Sequence, residues 1–192
     1  MRGALHLLLA AVPLLGGCFA DAPKAPKNWS IEWDRTTVER NERDALPAVK
    51  LSQFEVRAPY NGAHLAVLRP DGSIAFDSFN SFAAQPAALL KGAAFDSIEA
   101  SGVFSRVIAG GSSAVAPYSM EITVTRLALD CRVEPRRDAS VALTVVLVGS
   151  REVMASAHSE AAVPVADGDF SQAFSAAFAE ALVSAVRSLE LK

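Results

Sequence analysis

Near the C-terminus, Phe170, Phe174, Phe178, Leu182 and Val186 recur at every fourth position, with Ala173, Ala177, Ala181 and Ala185 beside them. A four-residue repeat of large apolar groups sets one wide stripe along an α-helix. The alanines let that stripe approach a flat partner closely. A helix with such a face must bury it, so the chain needs a sheet or a second helix to cover it. Asp169 and Gln172 have the spacing of a helix N-cap and its third residue.

The strands that would supply the sheet precede it. Val141 to Val148 is apolar at both parities, as in a strand inside a sheet and covered on both faces. Residues 140–148 and 152–163 flank Gly149-Ser150, read as a two-residue hairpin turn, so the two strands should be antiparallel. Met120, Ile122 and Val124 alternate, and Leu127, Leu129 and Cys131 resume on the opposite parity, the mark of one bulge in a long strand. Val49, Leu51, Phe54 and Val56 slip in the same way near Gln53. Leu65 and Val67 lead into Arg69-Pro70-Asp71-Gly72-Ser73, where proline fixes φ and glycine supplies a left-handed position, and the chain should return through Ile74-Ala75-Phe76. Gln85-Pro86 then opens a helix carrying Leu90, Ala94 and Ile98, closed by Gly102. Trp29, Ile31 and Trp33 alternate with polar residues as a short strand with an aromatic face, and residues 34–47 are a mixed-charge loop or exposed helix. The expected fold is α+β: a largely antiparallel sheet of about five to seven strands with two main helices against it.

The N-terminus carries a different signal. Arg2, the apolar run Ala4 to Leu15, and Leu15-Gly16-Gly17-Cys18 follow the order of an export signal. The run is too short to span a hydrocarbon core, which takes about 20 apolar residues. The last four residues resemble the bacterial lipobox. That resemblance implies cleavage after residue 17, a lipid-attached Cys18, a tether over 18–28 and a single domain over 29–192. Phe19 after the cysteine implies, by the same resemblance, the periplasmic side of the envelope and delivery to the outer membrane.

The formal net charge is −3 and there is no basic run, which argues against nucleic acid as a partner. With Cys18 lipidated, Cys131 has no cysteine to pair with and reads as a small core residue. His6, His64 and His158 form no HExxH pattern, no GxSxG elbow occurs, and Gly110-Gly111-Ser112-Ser113 lacks a P-loop lysine. No cofactor, metal or catalytic group is expected.

Tyr60-Asn61-Gly62, Leu65 to Gly72, Phe76-Asp77, Asn80-Ser81-Phe82-Ala83, Pro86 with its helix, and Ser101-Gly102-Val103-Phe104 together resemble the auxiliary lipoproteins of ABC-type transport systems. The paraquat-inducible lipoprotein belongs to that family, whose members work beside MCE-domain lipid carriers. Phe82 stands where the family often has tryptophan. The resemblance implies a non-enzymatic, membrane-anchored docking or bridging subunit, with an MCE-domain protein and ABC transporter components as partners and a homo-oligomer as a further option. The alternative is an envelope assembly or scaffolding lipoprotein unrelated to transport. Loops presented by a rigid sheet often carry recognition, which selects Arg69 and Asp71 in the hairpin turn, and Gly110 and Ser112 in the loop over 109–117, as partner-binding candidates.

Overall fold

The computed structural model describes residues 25–31, 41, 44–166 and 168–189. The signal segment, Cys18, Trp33 and most of the tether and the charged loop lie outside the described residues. The spine of the fold is β6 (Tyr118–Asp130). Along one edge it pairs antiparallel over its whole length with β7 (Asp138–Gly149), which pairs antiparallel with β8 (Glu152–Pro164).

The other edge of β6 is shared. β2 (Val49–Val56) occupies its first half and β3 (His64–Leu68) its last three residues, both parallel to β6. Beyond β2 lies β5 (Val107–Ile108), parallel. Beyond β3 lies β4 (Ile74–Phe82), antiparallel, and then β1 (Lys27–Trp29), parallel to β4. The α+β class holds, but the sheet is mixed rather than largely antiparallel. Among the described residues it has eight strands, and four of its seven pairings are parallel. The cause is that the chain leaves β2 and enters β3 without reversing, so both meet β6 in the same direction. β1 covers only Lys27–Trp29, so Ser30 and Ile31, expected to continue the alternating strand, lie beyond its end.

Both expected bulges are present. The β2–β6 register shifts between Leu51 and Gln53, and the Ser52 hydroxyl donates to the Met120 carbonyl at 3.0 Å. The β6–β7 register shifts between Val124 and Arg126, with Thr125 donating to the Ala142 carbonyl. At the β7–β8 hairpin the turn residues are Ser150 and Arg151, with φ of 53° and 70°, while Gly149 pairs with Glu152 inside the ladder. Gly149 is small for a steric reason: an added Cβ would lie 2.9 Å from the Tyr118 ring.

The helices α1 (Pro86–Ser101) and α2 (Phe170–Arg187) lie on one face. Gly102 closes α1 at φ 66°, and Asp169 Oδ1 accepts from the Gln172 N–H at 3.0 Å to cap α2. The stripe of α2 packs on β7 and β8, and α1 packs on β2 and α2. Phe174 meets Phe82 edge-on at 5.6 Å, Phe178 meets Phe54 at 6.3 Å, and Phe170 meets Trp29 at 5.2 Å. Val141, Leu143, Val145 and Leu147 are fully buried beneath α2, whereas Thr144, Val146 and Val148 on the other side of β7 are only half-buried. The strand expected to be covered on both faces is thus covered fully on one. No described helix is long and apolar enough to cross a membrane.

Candidate functional site

Because both helices take the same side, the opposite face of the sheet is where side chains reach solvent. Cross-strand register places its rows. One runs Ile74, Leu68, Asp130, Asp138, Pro164, and the next runs Phe76, Ala66, Ala128, Ser140, Ala162. Ala66, Leu68 and Ala128 form a small buried cluster separate from the main core, with Tyr60 packed against it. Ile74 and Phe76, on the strand beside them, remain 39% and 51% exposed. Ile74 and Phe76 carry the apolar character of this cluster out to solvent.

Along the same rows the chemistry changes from apolar to charged. Asp130 and Asp138 stand directly opposite each other across β6 and β7. Arg132 donates through Nε and Nη2 to both oxygens of Asp130, at 2.6–3.1 Å, and Arg136 Nε lies 2.5 Å from Asp138 Oδ2. With Val133 these four residues line an open cavity of about 340 Å³. Asp138 is 8% exposed, and its Oδ1 has no hydrogen-bond partner among the described residues. Two rows from the Asp130–Asp138 pair, Arg126 lies across Ala142 to pair with Glu160. No group of three His, Cys, Asp or Glu among the described residues is placed to hold a metal.

The Arg132 guanidinium holds the Asp130 carboxyl below its ordinary range, against a smaller opposing effect of burial. Hydrogen bonds from Ser73 lower Asp71. At Asp77 burial raises the pKa, but donors from Asn80 and Phe79 outweigh it. A carboxyl lowered in the folded state gives up its contribution as pH falls through its folded pKa, because the unfolded chain, near 3.9, takes the proton more readily. Stability should therefore decline below about pH 4. In denaturant titrations at stepped pH, the gap between the parent and Asp130→Asn should narrow over that decline; a constant gap would show that the Arg132 pair contributes nothing.

The partner-binding candidates fall in two places. Arg69 and Asp71 are exposed at the end of the sheet where β6 finishes. There Asp71 Oδ1 accepts from the Ser73 N–H and hydroxyl, and Gly72 sits at φ 81°. Gly110 and Ser112 lie where β6 begins, roughly 40 Å away at about 3.3 Å per residue. Lys50 Nζ donates to the Ser112 carbonyl at 2.6 Å, and a Cβ on Gly110 would fall 2.4 Å from the Leu51 carbonyl oxygen. The backbone of that loop is seated on β2, so Gly110→Ala should cost about 1–3 kcal/mol through forced backbone movement. An unchanged denaturant midpoint would show the loop to be loose. Cys131 is half-buried just beyond β6, and burial raises its thiol pKa, with Arg137 opposing. His158 is exposed near Thr144, and His64 near Ser81.

Sequence reading pointed to the hairpin turn but not to Phe76 as an exposed ring, nor to the Asp130–Asp138 juxtaposition. The only trace of the latter was the charge density of residues 130–138.

No protein-family model and no curated protein matches this chain. Solved structures do. A Xanthomonas campestris protein described under family model DUF330 superposes with a TM-score of 0.64 at 20% identity, over 83% of this chain and 90% of that one. A structure described as an uncharacterized protein superposes with a TM-score of 0.66 at 10% identity, over 85% and 97%. At these identities the likeness is one of fold.

Proposed function

We propose that the chain is a lipid-anchored, non-enzymatic accessory subunit of an ABC-type envelope lipid-transport system, docking an MCE-domain protein or the transporter from the periplasmic side of the outer membrane. The observation that carries the reading is the one-sided sheet, whose helix-free face exposes Ile74 and Phe76 beside a charged cavity. Surfaces of this kind engage partners. The lipobox ending at Cys18 and the family resemblance over residues 60–104 support the same role. From Phe19 to Pro26 an extended tether spans roughly 26 Å, enough to carry the domain clear of headgroups. Tethering raises local concentration, so a modest intrinsic affinity suffices.

The test is isolation of the tagged full chain from envelopes of cells that express such a system. MCE-domain and ABC components should be enriched, and depleted when Cys18→Ala removes the lipid. Isolation with neither, in repeated trials, would contradict the reading.

A further inference from the structure

The sheet ends on β8, and nothing among the described residues pairs with the outer edge of that strand. The ladder to β7 fixes which groups the edge offers. The Val165 N–H donates to the Arg137 carbonyl, and with Asp138 opposite Pro164 this turns the odd-numbered residues of β8 toward β7. Ser156, His158, Glu160 and Ala162 therefore present their N–H and C=O groups outward. Folded proteins block such an edge with lysine, proline or a short strand. From Ala155 to Val163 there is no lysine, arginine or proline, and the residues are small except for His158, Glu160 and Val163. We propose that β8 pairs antiparallel with β8 of a second copy of this chain, about a two-fold axis at Ser159, joining two sheets into one.

Two observations select a second copy over a strand of another protein. The first is charge. Pairing about Ser159 sets His158 opposite Glu160 of the second copy and Glu160 opposite its His158, while Ser156 meets Ala162 and Ala157 meets Ala161. No like charges face each other, and the imidazole–carboxylate contact occurs on both sides of the axis. Glu160 keeps 64% of its side chain exposed while paired with Arg126, so its carboxylate can accept from the imidazole as well. The second observation is where α2 lies. It packs on β7 and β8 alike. Strands spaced about 4.8 Å apart then put α2 and its copy about 10 Å from each other, the separation at which helices pack. α1 packs against α2 from the β2 side, and Glu180 and Ser184 are exposed on the flank left open. A lone strand from another protein would fill the hydrogen bonds and leave that flank bare. In the pair, the helix-free faces of both copies run on as one surface. This inference concerns only how copies join, so it stands or falls apart from the docking reading above.

Light scattering on the purified full chain in a sugar detergent reads the protein mass, which should be twice that of one chain. His158→Pro should halve it with far-UV circular dichroism unchanged, because the lost N–H points away from β7 and edge strands tolerate proline there. Linkage across the axis checks the register separately. In a Cys131→Ser background, Ser159→Cys should give a disulfide-linked dimer when envelopes are oxidised. Facing residues that turn their own N–H and C=O away from each other lie about 4.5 Å apart at Cα, within reach of a disulfide. Ala161→Cys, which meets Ala157 instead of itself, should link about tenfold less. A single-chain mass, an assembly that persists in His158→Pro, or Ala161→Cys linking as well as Ser159→Cys would each overturn the proposal.

Discussion

Phe174→Ala is expected to destabilise the domain by about 3–5 kcal/mol, the range for truncating a buried phenylalanine. Phe174 is 1% exposed at the centre of the α2 stripe, edge-on to Phe82 and flanked by Ala173 and Ala177, all part of one core. The alanines beside it are already minimal and the sheet beneath is fixed by its ladder, so little can collapse into the void. Domains are typically stable by only about 5–15 kcal/mol, which makes the loss a large share of the whole. Phe174→Asp should be worse, because an unpaired charge would have to be buried. Denaturant midpoints measure both. Midpoints equal to the parent's would mean that the α2 stripe is not the core.

Cys18→Ala is expected to abolish incorporation of labelled acyl chains and to leave an unprocessed or soluble form of the chain. Each buried methylene contributes about 0.8 kcal/mol, and one chain holds a protein only marginally; with none, only an uncleaved apolar segment would keep the chain at the membrane. Undiminished acyl labelling of the variant would remove Cys18 as the attachment point, and with it the tethered geometry.

Local features of the fold were legible in the residues. The parity slips near Gln53 and after Val124 are bulges at Ser52 and Thr125, because a single inserted residue must swap the buried parity. Gly72 and Gly102 sit at positive φ where turn and cap chemistry placed them. Features that depend on which strand lies beside which were not legible. Parallel pairing of β2 and β3 with β6 joins segments separated by the hairpin and α1, and nothing in Val49 to Leu68 records direction. The apolar run in β7 read as covered on both faces because Ala142, Val146 and Val148 fit a half-open surface as readily as a buried one. Gly149 looked like a turn glycine, but its reason is the Tyr118 ring, a contact between strands. The candidate site follows the same division. Arg69 and Asp71 were found as turn residues, whereas Asp130 and Asp138, eight positions apart, meet only because β6 and β7 pair in this register.

The proposed role requires the sheet face opposite the helices to be the working surface. A photo-crosslinking residue placed in the living cell at Phe76, Thr123 or His158 on that face, and at Gln172, Glu180 or Ser184 on exposed positions of α2, tests this most directly. Adducts with an MCE-domain or transporter component should arise from the sheet positions and not from the helix. Adducts from α2 alone, or from neither set in cells that express such a system, would contradict it.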